Sequence, residues 1–198
     1  NSTMSLPVPM LNIMNGGCHA NNNVDIQEFM IIPSNKFNFK DGLMKSVEVY
    51  TNLKSLLKEK GLSVSVGDEG GFAPNLKTSE EVLDLIILSI ERAGLIYLDD
   101  MSIALDCAAS ELFSEDSYKL TGENKKFSSD EMVFYMQALV DKYEIKSVED
   151  PFDEKDWDAW KTFTKNNNDL QIVGDDIFVT QEKILRKGID SKVANSIL

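Results

Sequence analysis

Three apolar runs in the second half of the chain end on acids: Ser102-Ile103-Ala104-Leu105-Asp106, Ser147-Val148-Glu149-Asp150-Pro151 and Leu170-Gln171-Ile172-Val173-Gly174-Asp175-Asp176. Helix-like stretches separate them, and that alternation predicts an α/β fold built on a parallel sheet. In such a sheet the acidic tips emerge along one edge. Strand alternation groups Asp106 with Ala104 and Ser102, Glu149 with Ser147, and Asp175 with Val173, while Leu105, Val148 and Ile172 face the other way. Small residues beside the carboxylates and branched residues behind them fit a barrel whose acids point at its axis. Two carboxylates ~4 Å apart at an effective dielectric of about 20 repel by roughly 4 kcal/mol, so the tips need a counter-charge. Oxygen donors on rigid strands suit a hard divalent cation such as Mg²⁺, which keeps waters and recruits substrate oxygens. Any one of these acids is as well explained as a solvated rim residue; three in succession favour a shared site.

The first half reads differently. Pro7 to Met14 and Ile26 to Ile32 are strand-like, each followed by turn residues (Asn15-Gly16-Gly17 and Pro33-Ser34-Asn35), and with no helix between them they form an expected antiparallel pair. A helix is expected from about Asp41 to Lys60, with Leu43, Val47, Tyr50, Leu53 and Leu57 on one stripe and Gly61 as its stop. Gly67-Asp68-Glu69-Gly70-Gly71 is a loop. Thr78 and Glu81 stand at capping-box spacing ahead of an apolar helix that ends at Gly94.

From strand 102–107 onward the order is regular. A turn at Ser114-Glu115-Asp116-Ser117 precedes Tyr118-Lys119-Leu120, and a helix opens at Ser128, with Glu131 three residues on, carrying Met132, Met136, Leu139 and Tyr143. Strand 145–149, a helix holding Trp157, Trp160 and Phe163, strand 170–175, a helix from about Thr180 to Lys187 and an apolar run Val193 to Leu198 follow. The opening pair plus four parallel strands makes six, too few to close an eight-stranded barrel. A run ending on an unprotected apolar strand is expected to belong to a larger protein.

Composition narrows the partners. With 198 residues and 42% apolar content the chain has a substantial core, and its net charge of −13, with Arg92 and Arg186 as the sole arginines, leaves no basic surface for nucleic acid. No apolar run reaches the roughly 18 residues of a membrane span, and Asn1-Ser2-Thr3-Met4 opens without a charged segment before an apolar core, so a cytoplasmic location is expected. Cys18 and Cys107 are not a disulfide framework; both are expected to be free thiols, buried or half-buried.

Glu69 sits among glycines that let backbone approach a ligand, and a carboxyl there is a candidate general acid if burial or a second carboxylate raises its pKa. Glu28, beside Gln27 at the second strand, is the candidate partner. His19, the single histidine, follows the first strand. Taken one at a time, each is as ordinary as a turn acid or a structural histidine.

Together, Asn15-Gly16-Gly17-Cys18-His19-Ala20, Gln27-Glu28-Phe29-Met30, Gly67-Asp68-Glu69-Gly70-Gly71-Phe72-Ala73-Pro74-Asn75, Leu105-Asp106-Cys107-Ala108, Ser147-Val148-Glu149-Asp150-Pro151-Phe152 and Gly174-Asp175-Asp176 stand in the order and approximate spacing of enolase. The resemblance covers essentially the whole chain. It implies an incomplete TIM-type barrel of the enolase kind, opening with an antiparallel strand pair and helices before the regular alternation. Residues 1–198 would be the carboxy-terminal barrel domain, without its last strands and without the amino-terminal capping domain.

The resemblance further implies that Asp106, Glu149 and Asp175 hold Mg²⁺, that Glu69 protonates the departing hydroxyl, and that His19, Gln27, Glu28, Glu149 and Asp175 line the substrate, with Glu28 tuning Glu69. The implied reaction is the reversible dehydration of 2-phosphoglycerate to phosphoenolpyruvate in glycolysis, by a homo-oligomer, a dimer or an octamer. The family's base is a lysine on the next strand segment, about two residues beyond Val193-Ala194-Asn195-Ser196-Ile197-Leu198. That lysine, the phosphate-gripping loop and the serine ligand of a second Mg²⁺ are not among these residues, so the chain alone is expected to be inactive. Two alternatives stay open. Another superfamily lyase or racemase would use the same ligands, although its Lys-x-Lys strand is not visible and Gly-Asp-Glu-Gly-Gly favours enolase. A non-catalytic, secreted or cell-surface role in plasminogen binding has no specific support in the residues.

Overall fold

The computed structural model describes residues 6–198; Asn1-Ser2-Thr3-Met4, read above for a targeting signal, lie outside the described residues. The elements, in chain order, are β1 (Leu11–Asn15), β2 (Glu28–Pro33), α1 (Phe39–Glu59), α2 (Ser79–Arg92), β3 (Met101–Asp106), β4 (Phe113–Ser114), β5 (Ser117–Leu120), β6 (Lys125–Phe127), α3 (Ser129–Tyr143), β7 (Ser147–Glu149), α4 (Trp157–Asn166), β8 (Gln171–Gly174), α5 (Glu182–Ser191) and β9 (Ser196–Ile197). Six of the strands form one sheet in the order β1-β2-β3-β7-β8-β9. The first two pairings are antiparallel and the rest parallel, and the sheet does not close on itself.

The local signals that start and stop elements act as physical chemistry requires. Ser128 Oγ accepts from the Glu131 amide while Glu131 Oε2 accepts from the Ser128 amide, a reciprocal capping box at the head of α3. Thr78 caps α2 the same way, but the Glu81 carboxylate turns to the Lys77 amide instead. β1 starts at Leu11 rather than Pro7, because Pro7 and Pro9 have no amide to give a ladder.

The helical layer covers the face holding Phe29, Ile31, Ile103, Leu105, Val148 and Ile172, all fully buried. α4 inserts Trp160 and Phe163, which meet Phe152 edge-on at 6.2 and 5.4 Å between centroids. α1 corrects the expected stripe: Leu43 and Val47 are exposed, and the buried side is Gly42, Ser46, Val49, Leu53, Leu56 and Leu57. Small residues let α1 lie close, since a Cβ at Gly42 would stand 3.1 Å from the Pro33 ring.

The connection after β3 holds a small second sheet, β4-β5-β6, that the pattern of apolar residues did not show. Its strands are two to four residues long, below the length at which alternation registers. Glu115 and Asp116 both take positive φ (52° and 57°), the backbone of a tight two-residue hairpin.

Candidate active site at the strand tips

Register decides which acids become neighbours. Glu28 pairs with Asp106, Asp106 with Glu149, and Glu149 with Val173. Directly paired residues project from the same face, so Glu28, Asp106 and Glu149 form a row across three adjacent strands. Asp175 is two positions beyond Val173, past the end of β8 and one step out of that row.

The carboxylate oxygens reflect this. Asp106, Glu149 and Asp150 each bring one oxygen within 4.8 Å of the others, and Asp150, Asp175 and Asp176 do the same. Asp150 belongs to both groups. Its φ of 39° swings it back toward the side of Glu149, a conformation that aspartate tolerates better than most residues. There its Oδ1 accepts from the Asp175 amide at 3.0 Å and its Oδ2 from the Asp176 amide at 2.8 Å, which fixes the loop carrying Asp175.

Burial and like charge act together on these groups. Burial pushes the Glu149 carboxyl up to about 8, with Asp106, Asp150, Asp175 and Glu28 adding to it. Asp150 rises to about 7, again from burial first, against the pull of its two amide donors. Asp106 is also raised by burial, opposed by two donors: Gln27 Nε2 at 3.1 Å and the Ala108 amide at 3.0 Å. Near neutral pH the cluster therefore holds protons that a cation would displace.

A second group lies beside the first. His19, Glu28 and Glu69 each bring one atom within 4.8 Å of the others. His19 comes from a short 3₁₀ turn, Gly17–His19, and its Nδ1 is 3.3 Å from Glu28 Oε1 without a hydrogen bond of good geometry. Gly16 makes that turn possible, because a Cβ there would stand 2.4 Å from the Ile26 carbonyl. Burial raises the Glu28 carboxyl, Asp106 adds to the rise, and His19 opposes it. Glu69 is exposed at the tip of its loop. Glu28 thus joins the two groups, facing Asp106 on one side and His19 and Glu69 on the other.

The arrangement sets a carboxylate cluster that could hold a cation beside a histidine and two further carboxyls. A family description, "Enolase, C-terminal TIM barrel domain", matches residues 3–198. The chain belongs to the enolase family. Enolases of Legionella pneumophila strains Corby, Paris and Philadelphia 1 are each 52% identical to it over 196 residues, covering 98% of this chain and 46% of their own length. The chain spans about half the length of the curated relatives it matches.

Within the enolase barrel the residues expected at the site fall as follows. Asp106 and Glu149 are brought together, as are His19, Glu28 and Glu69. Gln27 is engaged with Asp106 by its amide nitrogen. Asp175 groups with Asp150 and Asp176 rather than directly with Asp106 and Glu149. Asp150 is the residue that strand alternation hid: it follows Glu149, so a regular strand would send it to the helical side, and the one available signal is an acid before Pro151. Cys107 is buried as expected, whereas Cys18, on the rim turn, is exposed. Among the described residues no helix is long and apolar enough to cross a membrane.

Proposed function

We propose that the protein carrying this chain is an enolase that reversibly dehydrates 2-phosphoglycerate to phosphoenolpyruvate, and that residues 1–198 are an incomplete carboxy-terminal barrel domain. The observation that carries this reading is the Glu28–Asp106 pairing, which sets the His19–Glu28–Glu69 group against the Asp106–Glu149–Asp150 group. A chemistry that removes a proton beside an ionised carboxylate and expels a hydroxyl needs positive charge at one end and an acid at the other.

The donor set fits Mg²⁺: oxygens only, on two strand ends and the loop after β8, with the Glu149 and Asp106 carboxyls raised by burial first and by neighbouring like charge second. Asp106, Glu149 and Asp175 would hold it, with Asp150 fixing the Asp175 loop. When bound, the ion supplies electrostatic stabilisation for negative charge developing on the substrate. His19, Gln27 and Glu28 line the substrate side, and Gln27 orients Asp106 through its amide. Glu69 gives its proton to the C3 hydroxyl as the C3–O bond breaks, so that the group leaves as water. The base that takes the C2 proton is, by family resemblance, a lysine outside these residues, so the 198-residue chain alone would be inactive. A cytoplasmic homo-oligomer and a separate amino-terminal capping domain belong to the same proposal.

The test is formation of the phosphoenolpyruvate double bond from 2-phosphoglycerate by the full-length protein with Mg²⁺ and with chelator. Turnover that chelator abolishes supports the reading; no turnover with Mg²⁺ present overturns it.

A further inference from the structure

The loop bearing Glu69 is held from three directions. From β1, Asn15 Oδ1 accepts from the Gly71 amide at 2.9 Å, and the Asn15 amide donates to the Phe72 carbonyl at 2.9 Å. From the rim, the His19 carbonyl accepts from the Asp68 amide at 2.9 Å. From the helical layer, the Tyr50 hydroxyl on α1 donates to the Gly70 carbonyl at 2.9 Å. Glu69 is therefore bracketed: the residue before it is fastened to His19 and the residue after it to Tyr50.

Tyr50 is itself well placed to hold. Its ring stacks on Phe72 with centroids 4.3 Å apart and an interplanar angle of 16°, and Phe72 is buried and hydrogen-bonded to Ile13 and Asn15 of β1. Gly70 has φ +82° and nothing within 4 Å of the place a Cβ would occupy, and its carbonyl is held by the Tyr50 hydroxyl. From α1, Tyr50 thus reaches the loop twice, by its ring on Phe72 and by its hydroxyl on Gly70.

We propose that Tyr50 is a positioning residue for Glu69, its hydroxyl fixing the peptide after Glu69 so that the carboxyl stays level with His19 and Glu28. This rests on the reading above in which Glu69 protonates the departing hydroxyl. Misplacing a proton donor by about 1 Å is enough to slow the step it serves by on the order of a hundredfold. Removal of the C2 proton precedes that step and does not use Glu69, so loosening the loop separates the two half-reactions.

The experiment uses the full-length protein and Tyr50→Phe, which keeps the ring on Phe72 and removes the hydroxyl alone. The expected result is a fall in kcat for phosphoenolpyruvate formation of about ten- to a hundredfold, with KM for 2-phosphoglycerate and melting temperature unchanged. Exchange of the C2 proton with deuterium from solvent should continue at the wild-type rate. Unchanged kcat in the variant, or loss of exchange and dehydration in equal measure, overturns the proposal while leaving the dehydratase reading intact. A wild-type protein that neither exchanges nor dehydrates 2-phosphoglycerate overturns both.

Discussion

At the scale of single residues, Glu149 and Asp150 carry the strongest electrostatic consequence. Glu149 titrates at an ordinary 4.5 when unfolded and at about 8 when folded; Asp150 moves from 3.8 to about 7. Between these values the folded chain binds more protons than the unfolded one, so stability falls as pH rises. The stabilising contribution is whole below about pH 4 and is lost by pH 8. Thermal melts of the metal-free protein should therefore show a melting temperature that drops from pH 5 to pH 8. Saturating Mg²⁺ should remove most of that drop, since a bound cation favours the ionised carboxylates that the cluster otherwise resists. Glu149→Gln should make the metal-free drop shallower, leaving the part that Asp150 contributes, and abolish the Mg²⁺ effect. A profile that Mg²⁺ leaves untouched would show that these carboxyls are not its ligands.

Residue chemistry also marks how far the site was legible without coordinates. Asp106 and Glu149 follow from strand alternation alone, because each ends a strand whose inward positions are small. Asp175 does not, since alternation gives its face and not its height, and the register sets Val173 level with Glu149. Asp150 was hidden by a left-handed backbone that no periodicity encodes.

At the scale of elements, caps and glycine contacts give the sharpest expectations. Ser128→Ala removes one half of the α3 capping box and should cost about 1 kcal/mol in denaturant unfolding, with activity per folded molecule unchanged. Gly16→Ala is of another kind: its Cβ would collide with the Ile26 and Val24 carbonyls at 2.4 and 2.5 Å. Backbone must move, and His19 moves with it. Turnover of 2-phosphoglycerate should fall by at least tenfold in Gly16→Ala, beyond what any fall in melting temperature explains. The elements themselves were readable where signals were local, as at Ser128, Thr78 and Gly61. They were not where tertiary packing chose the face, as in α1, whose buried side uses Gly42 and Ser46 in place of Leu43 and Val47. The β4-β5-β6 meander escaped, although its turn was readable, because its strands of two to four residues are too short for alternation to register.

At the scale of the whole molecule, the sheet is one wall of a barrel, with antiparallel strands at one end and parallel strands at the other, and the acids lie along its upper rim. The helical layer supplies stability and, through Tyr50, one restraint on chemistry. The proposed function joins sheet and site through a single requirement, that carboxylates from separate strand tips would share one divalent cation. Calorimetric titration of Mg²⁺ into the full-length protein and into Asp106→Asn, Glu149→Gln and Asp175→Asn tests this most directly. Wild type should bind the ion and all three variants should lose it; wild-type affinity retained in any one of them would contradict the shared site.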